Sequence, residues 1–267
     1  MSDNAKLFFS LHTAGQPLIL PNAWDAASAA LFQDTGAAAI ATSSASLAWS
    51  LGYADGGGLP RQELLGAVGR ILRLARVPVT VDIEDGYSDD PADVAALAAQ
   101  LAEAGVAGIN LEDGSKPPAL LAAKIAAIRA KLGAGTLFVN ARTDVYLRGQ
   151  APAGQEVAMT VERAQQYRAA GADGIFVPGL RAPAQVAEIA KQVPLPLNLM
   201  MLPGLAPVQE LAASGMRRLS AGSATFQAAY GVVRARVQVL LSQGAVDGLF
   251  EGSVSYPDMQ RICAAKA

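Results

Sequence analysis

The strongest constraint on the fold is a repeated joint. Three segments, DTGAAAI at 34–40, EAGVAGI at 103–109 and AAGADGI at 169–175, each place a glycine (Gly36, Gly105 or Gly171) after a helical pattern and just before an apolar run. A helix that ends in a left-handed residue favours glycine there, so each segment reads as a helix-to-strand turn. Short apolar runs at 17–22, 38–43, 77–84, 108–113, 137–143, 174–179, 195–201 and 217–222 alternate with helical stretches, as buried parallel strands do. Eight such units predict an α/β fold, a (β/α)8 barrel of the TIM type. A doubly wound sheet would use fewer strands and a glycine-rich first turn, whereas the first joint here is PNAWDAAS.

No linker or composition break divides the chain, so residues 1–267 are expected to form one domain with 52% hydrophobic residues available for its core. The one extended glycine-rich loop, 52–63, follows the second strand and is placed at the barrel mouth. Past the eighth strand come a long helix at 224–241 and a turn at Asp247-Gly248, and the segment 243–267 is more than a barrel needs. That segment carries Val254, Tyr256, Met259 and Ile262 and is read as an oligomerisation element of a homodimer or homotetramer, the alternative being that it folds back over its own barrel.

The function classes narrow next. A formal net charge of −2 offers no basic surface for a phosphate backbone, so nucleic acid is not expected as a partner. The apolar patch Leu7–Phe9 is too short for a signal segment and no run reaches membrane-spanning length, which predicts a cytoplasmic protein with no membrane partner. A single cysteine, Cys263, excludes an intrachain disulfide, and a single histidine, His12, placed before the first strand, argues against histidine triads and zinc sites. Carboxylates, arginine, hydroxyls and a hard metal are left to carry any chemistry.

Catalytic residues of a TIM-type barrel gather at the C-terminal ends of its strands, and polar residues collect there. The third strand runs into Asp82, Glu84 and Asp85, the fourth into Glu112 and Asp113, the fifth into Asn140, Arg142 and Asp144, and the seventh carries Asn198. Period two sends Asp82 and Glu84 to one side of their strand, where Glu112 can join them. Acids inside an apolar strand are expensive without a partner, and three carboxylates without histidine or thiol describe a Mg²⁺ site. Asp85, Asp89, Asp90 and Asp113 are read instead as helix caps. Arg142 in the same layer is either a bidentate clamp for a ligand carboxylate or the ion-pair partner of one of these acids. Asn22, Trp24, Asp25, Thr42, Ser43 and Ser44 offer small polar groups and backbone N–H at the mouth, with Trp24 open also to plain packing. Tyr53 and Asp55, in the glycine-rich loop, are either solvated loop residues or reach over a ligand.

PNAWDAASA, TSSASLAWSLGYADG, VDIEDGY, INLEDG and VNARTD, in this order and across the whole barrel, resemble the isocitrate lyase / phosphoenolpyruvate mutase superfamily. The resemblance implies a Mg²⁺-dependent enzyme that acts on a bond next to the carbonyl of a 2-oxo acid. It implies Asp82 as direct metal ligand, Glu84 and Glu112 as ligands mostly through water, and Ser43 and Ser44 with Arg142 on the substrate carboxylate. Asp55 would complete the site from its loop, Asn198 matches the family's asparagine on the seventh strand, and the last helix would be exchanged between subunits.

The departures from the pattern are equally specific. The family's lyases carry a Lys-x-Cys-Gly-His gating loop after the fourth strand; here GSKPPALLAAK passes almost directly into a helix, and Pro178 and Gly179 stand where several lyases place a glutamate. Tyr53, Asp55 and Glu84 are the remaining candidates for acid or base. The function expected is a lyase or decarboxylase that cleaves a C–C bond beside the carbonyl of a small 2-oxo or 2-hydroxy dicarboxylic acid, with the metal and Arg142 stabilising an enolate. The alternatives are a 2-oxo-acid-binding member without lyase activity and a P–C bond enzyme of the phosphonopyruvate type.

Overall fold

The structure, a computed structural model, describes residues 2–13 and 15–264. Its parallel strands are β1 (Leu18–Leu20), β2 (Asn22–Ala23), β3 (Ile40–Thr42), β4 (Val79–Asp82), β5 (Gly108–Glu112), β6 (Phe138–Arg142), β7 (Gly174–Phe176), β8 (Leu197–Met200) and β9 (Met216–Ser220). They follow in the order β1-β9-β8-β7-β6-β5-β4-β3-β2. β1 and β2 stand at the two ends of that order yet are separated in the chain by Pro21 alone, so they act as one strand and nearly close a TIM-type barrel. The single first strand expected at 17–22 is therefore corrected to two. Pro21 has no N–H to give to a ladder, while its carbonyl still accepts Ala41 N–H and that of Leu20 accepts Ala221 N–H.

Strand parity sorts the residues. On β4 to β6, β8 and β9 the odd positions Val81, Ile109, Leu111, Val139, Leu199 and Leu219 join the main apolar core, which the surrounding helices cover. The even positions Asp82, Asn110, Asn140, Asn198, Arg218 and Ser220 are buried and polar, and all of them but Asp82 are linked by side-chain hydrogen bonds inside the barrel. The helices supply the outer layer through one apolar face: α4 (Arg61–Leu74) buries Leu64, Ala67, Val68, Ile71 and Leu74, a spacing of three and four.

The lower end is plugged by α1 (Asp3–Leu11), whose Phe8 meets Phe138 edge-on while His12 stacks on the same ring at 4.0 Å between centroids. Gly108 has no side chain because Phe8 stands where one would lie, with its ring 2.8 Å from the Cβ position. At the C-terminal side α10 (Ala224–Gln243) leaves Tyr230, Val233 and Leu241 exposed. α11 (Tyr256–Cys263) folds back onto α2 (Ala26–Asp34), where Ile262 packs with Ala30 and Arg261 reaches Asp34. Within the single chain this helix covers part of its own barrel. Residues 265–267 of the expected oligomerisation segment lie outside the described residues. Among the described residues no helix is long and apolar enough to cross a membrane.

Candidate active site

The C-terminal ends of the strands surround a cavity of about 190 Å³ whose wall includes Asn22, Ser43, Ser44, Asp55, Asp82, Asn110, Arg142 and Ser220. A second cleft of about 260 Å³ is lined by Gly56, Gly57, Glu84, Glu112, Lys116 and Arg148. The acids are held between the two by short local rules. β4 stops at Asp82, and Glu84 and Tyr87 take left-handed backbone conformations with φ of 51° and 58°. Alternation along a strand therefore does not bring Asp82 and Glu84 together, as the sequence reading had it; the turn does. In it Glu84 N–H donates to Asp82 Oδ1 at 3.3 Å, and the Glu84 carbonyl accepts Glu112 N–H at 2.9 Å. The other Asp82 oxygen accepts Ser44 N–H at 3.3 Å, which ties it to the start of α3 (Ser44–Ser50).

Arg142 is in register with Glu112 across β5 and β6, and its Nη1 lies 2.7 Å from Glu112 Oε2. Its Nε and Nη2 donate to the two oxygens of Asp144 at 2.7 and 3.1 Å. Arg142 thus makes carboxylate ion pairs of its own and still lines the cavity. Burial works against its charge, yet Glu112 and Asp144 hold its pKa above that of a free guanidinium.

The carboxylates respond in the opposite sense. Burial raises the Asp82 pKa, opposed in part by Arg142 and by the N–H groups of Ser44 and Glu84. Burial, followed by the charge of Asp82, raises Glu84. Glu112 is pushed up to about 8 by burial, with Arg142 opposing and Asp82, Asp144 and Glu84 adding. Crowded, desolvated carboxylates of this kind are relieved by a bound cation, and a donor set of oxygen alone suits Mg²⁺. Among the described residues no three acid, imidazole or thiol side chains converge closely enough to hold one ion directly. That geometry fits an ion that keeps much of its water.

Several expected residues stand elsewhere. Trp24 is not in the cavity wall but meets Phe226 edge-on at 5.2 Å and Phe32 at 6.1 Å, an aromatic packing role. Asp25 caps α2 through Ser28 N–H. Tyr53 packs against the apolar core and Asn198 lies below the cavity, accepting from Ser220 Oγ at 3.1 Å. Of the acids read as caps, Asp90 caps α5 (Pro91–Glu103) and Asp85 and Asp89 pair with Lys116. Asp113 caps nothing: it is buried and accepts from Asp144 N–H, Arg163 and Tyr167. Asn110 and Ser220 were not anticipated in the cavity wall. The signal for Asn110 was its parity with Glu112 in INLE, and that for Ser220 its parity with Arg218. The connection after β5 reaches α6 (Pro118–Leu132) at once, without a gating loop.

A model of the phosphoenolpyruvate phosphomutase family matches residues 8–241. An uncharacterized protein of Mycobacterium tuberculosis is 42% identical over 226 residues, 83% of each chain. An oxaloacetate decarboxylase of Rhodopseudomonas palustris is 33% identical over 222 residues, 80% of this chain and 76% of that one. Among solved structures, a phosphonopyruvate hydrolase complex with oxalate and Mg²⁺ shares the fold at a TM-score of 0.85 with 22% identity, over 98% of this chain and 95% of that one. With strand-end acids, Arg142 and a matching model over nearly the whole barrel, the chain belongs to the phosphoenolpyruvate phosphomutase family, within the isocitrate lyase / phosphoenolpyruvate mutase superfamily.

Proposed function

We propose that the protein is a Mg²⁺-dependent lyase or decarboxylase that cleaves a C–C bond beside the carbonyl of a small 2-oxo or 2-hydroxy dicarboxylic acid. The observation that carries this reading is Arg142 on the wall of a small polar cavity, flanked by the desolvated acids Asp82 and Glu112. At about 190 Å³ the cavity falls below the usual range for cofactor and drug-sized ligands, which favours an acid of few heavy atoms. Asp82 would hold the metal directly, with Glu84 and Glu112 holding it through water. Bound there, Mg²⁺ supplies a Lewis acid toward the oxo and carboxylate oxygens.

The protein's own groups do the rest. Ser43 and Ser44 receive the substrate carboxylate at the start of α3, and Arg142 faces the charge that develops on the oxo oxygen as the bond breaks. A decarboxylation needs only that charge to be stabilised, whereas a retro-aldol cleavage also needs a proton acceptor and a donor. Asp55, which lines the cavity, and Glu84, which lines the neighbouring cleft, are the groups proposed for that work, while Tyr53 packs against the apolar core and Asn198 accepts from Ser220 Oγ. The exposed apolar face of α10 is proposed to be buried in a homodimer or homotetramer, and a cytoplasmic location is part of the same reading.

A second reading, a 2-oxo-acid-binding protein without turnover, is favoured by the direct passage from β5 into α6, with neither cysteine nor histidine lining the cavity. Pyruvate release from oxaloacetate and turnover of a panel of four- to seven-carbon 2-oxo and 2-hydroxy acids, with Mg²⁺ and with chelator, separates the two. Mg²⁺-dependent turnover of one acid supports the enzyme. Oxalate binding with no turnover across the panel leaves the binding protein.

A further inference from the structure

Arg142 does not choose its own direction. Asp144, fully buried, takes its guanidinium side-on, and the Asp144 backbone N–H is in turn held by Asp113 Oδ1 at 2.9 Å. The second oxygen of Asp113 accepts two donors from α7 (Glu156–Ala170): Tyr167 OH at 2.6 Å and Arg163 Nη1 at 2.8 Å. Arg163 is itself oriented by Gln150 Oε1 at 2.6 Å. Tyr167 and Asp113 are as buried as Asp144. An unbroken series of hydrogen bonds therefore runs from an outer helix to the cavity wall.

We infer that Tyr167 is a positioning residue for Arg142, acting through Asp113 and Asp144. Three features support a positional role over simple cohesion. Asp113 receives all of its side-chain partners from groups outside its own strand, so its carboxylate plane is set by Tyr167 and Arg163. Asp144 binds Arg142 with both oxygens, a geometry that transmits orientation as well as charge. Arg142 then faces Glu112, the Phe176 ring at 5.8 Å and the cavity. The Asp144 carboxylate takes one further donor, Arg148 Nε at 2.7 Å, and a tilt of that carboxylate changes what the Arg142 guanidinium presents to a ligand. Misplacement of a clamp by a fraction of an ångström is enough to weaken its function.

The inference rests on the proposed 2-oxo-acid site, and its test uses binding, with Mg²⁺ and oxalate as the probe. Tyr167→Phe keeps the ring and removes the hydroxyl. Isothermal titration of oxalate in the presence of Mg²⁺ is expected to show about tenfold weaker binding than the wild type, the scale of one lost hydrogen bond to a charged group. In an Arg142→Lys background, where no fork remains to be aimed, the same change is expected to cost less than about twofold. Groups that act in series fail to add in this way, and independent structural effects do add. Arg163→Gln, nearer the surface, is expected to show the same non-additivity and serves if Tyr167→Phe does not fold. An equal loss in both backgrounds, or wild-type affinity in Tyr167→Phe, overturns the inference alone. A wild-type protein that binds no oxalate overturns the site reading, and the inference with it.

Discussion

Glu112 and Arg142 face each other as Cα partners on neighbouring strands, with Arg142 Nη1 2.7 Å from Glu112 Oε2 and both side chains largely buried. The pair closes the site on one side, and it leaves each charge dependent on the other. Arg142→Ala would strand Glu112 without its cation, while Asp144 keeps Arg148, whose Nε lies 2.7 Å from its Oδ2. Binding of oxalate should weaken by about 1.5–3 kcal/mol, and unfolding in denaturant should show a further loss of about 3 kcal/mol in stability. Arg142→Lys restores charge without the fork, so it should recover more of the stability than of the binding.

His12 makes an acid-sensitive seal at the other end of the barrel. Its Nδ1 lies 2.8 Å from the Phe8 carbonyl, and burial, with the charge of Arg218 adding, lowers its pKa from 6.5 to about 3. The unfolded chain takes up a proton near pH 6.5 that the folded chain refuses until about pH 3. Stability from this group is therefore complete above pH 6.5 and lost as pH falls below it, by about 2 kcal/mol at pH 5. Denaturation of the wild type and His12→Phe at pH 7.5 and pH 5 should show this loss in the wild type beyond that in the variant.

Much of this architecture was legible in the chain. The glycine joints and apolar runs place the strands to within a few residues, because buried parallel strands leave a continuous apolar trace. The carboxylates and Arg142 stood out as charges at strand ends. Tertiary relationships were not legible. Pro21 splits a strand because the ring must close around it, and Glu84 reaches Asp82 through a left-handed turn that alternation does not describe. Asp113 resembled a cap because Tyr167 and Arg163, more than forty positions away, hold no local signal of their contact. Trp24 sits among mouth residues in sequence, yet Phe226, from the far end of the chain, turns it into packing.

The C-terminal segment offers a separate test. Truncation after Gln243 removes α11, which covers Ala30 and Leu74 of its own barrel, and leaves α10 with its exposed apolar face. Light scattering of the full chain at micromolar concentration should report a dimer or tetramer, and the truncated chain, which keeps the α10 face but uncovers Ala30 and Leu74, should aggregate. A monodisperse monomer for the full chain would refute the oligomer.

Titration of Mg²⁺ into the wild type and Asp82→Ala, with oxalate present, bears most directly on the proposal of a metal-dependent 2-oxo-acid enzyme. Asp82 is buried, its pKa is raised, and its oxygens meet only the long backbone hydrogen bonds from Ser44 and Glu84. Its removal should therefore leave the fold intact while the metal loses its direct ligand. The predicted result is a saturable Mg²⁺ and oxalate isotherm for the wild type and none for Asp82→Ala, with thermal unfolding of the two within a few degrees. Unchanged Mg²⁺ affinity in Asp82→Ala, or no isotherm for the wild type, would contradict the account.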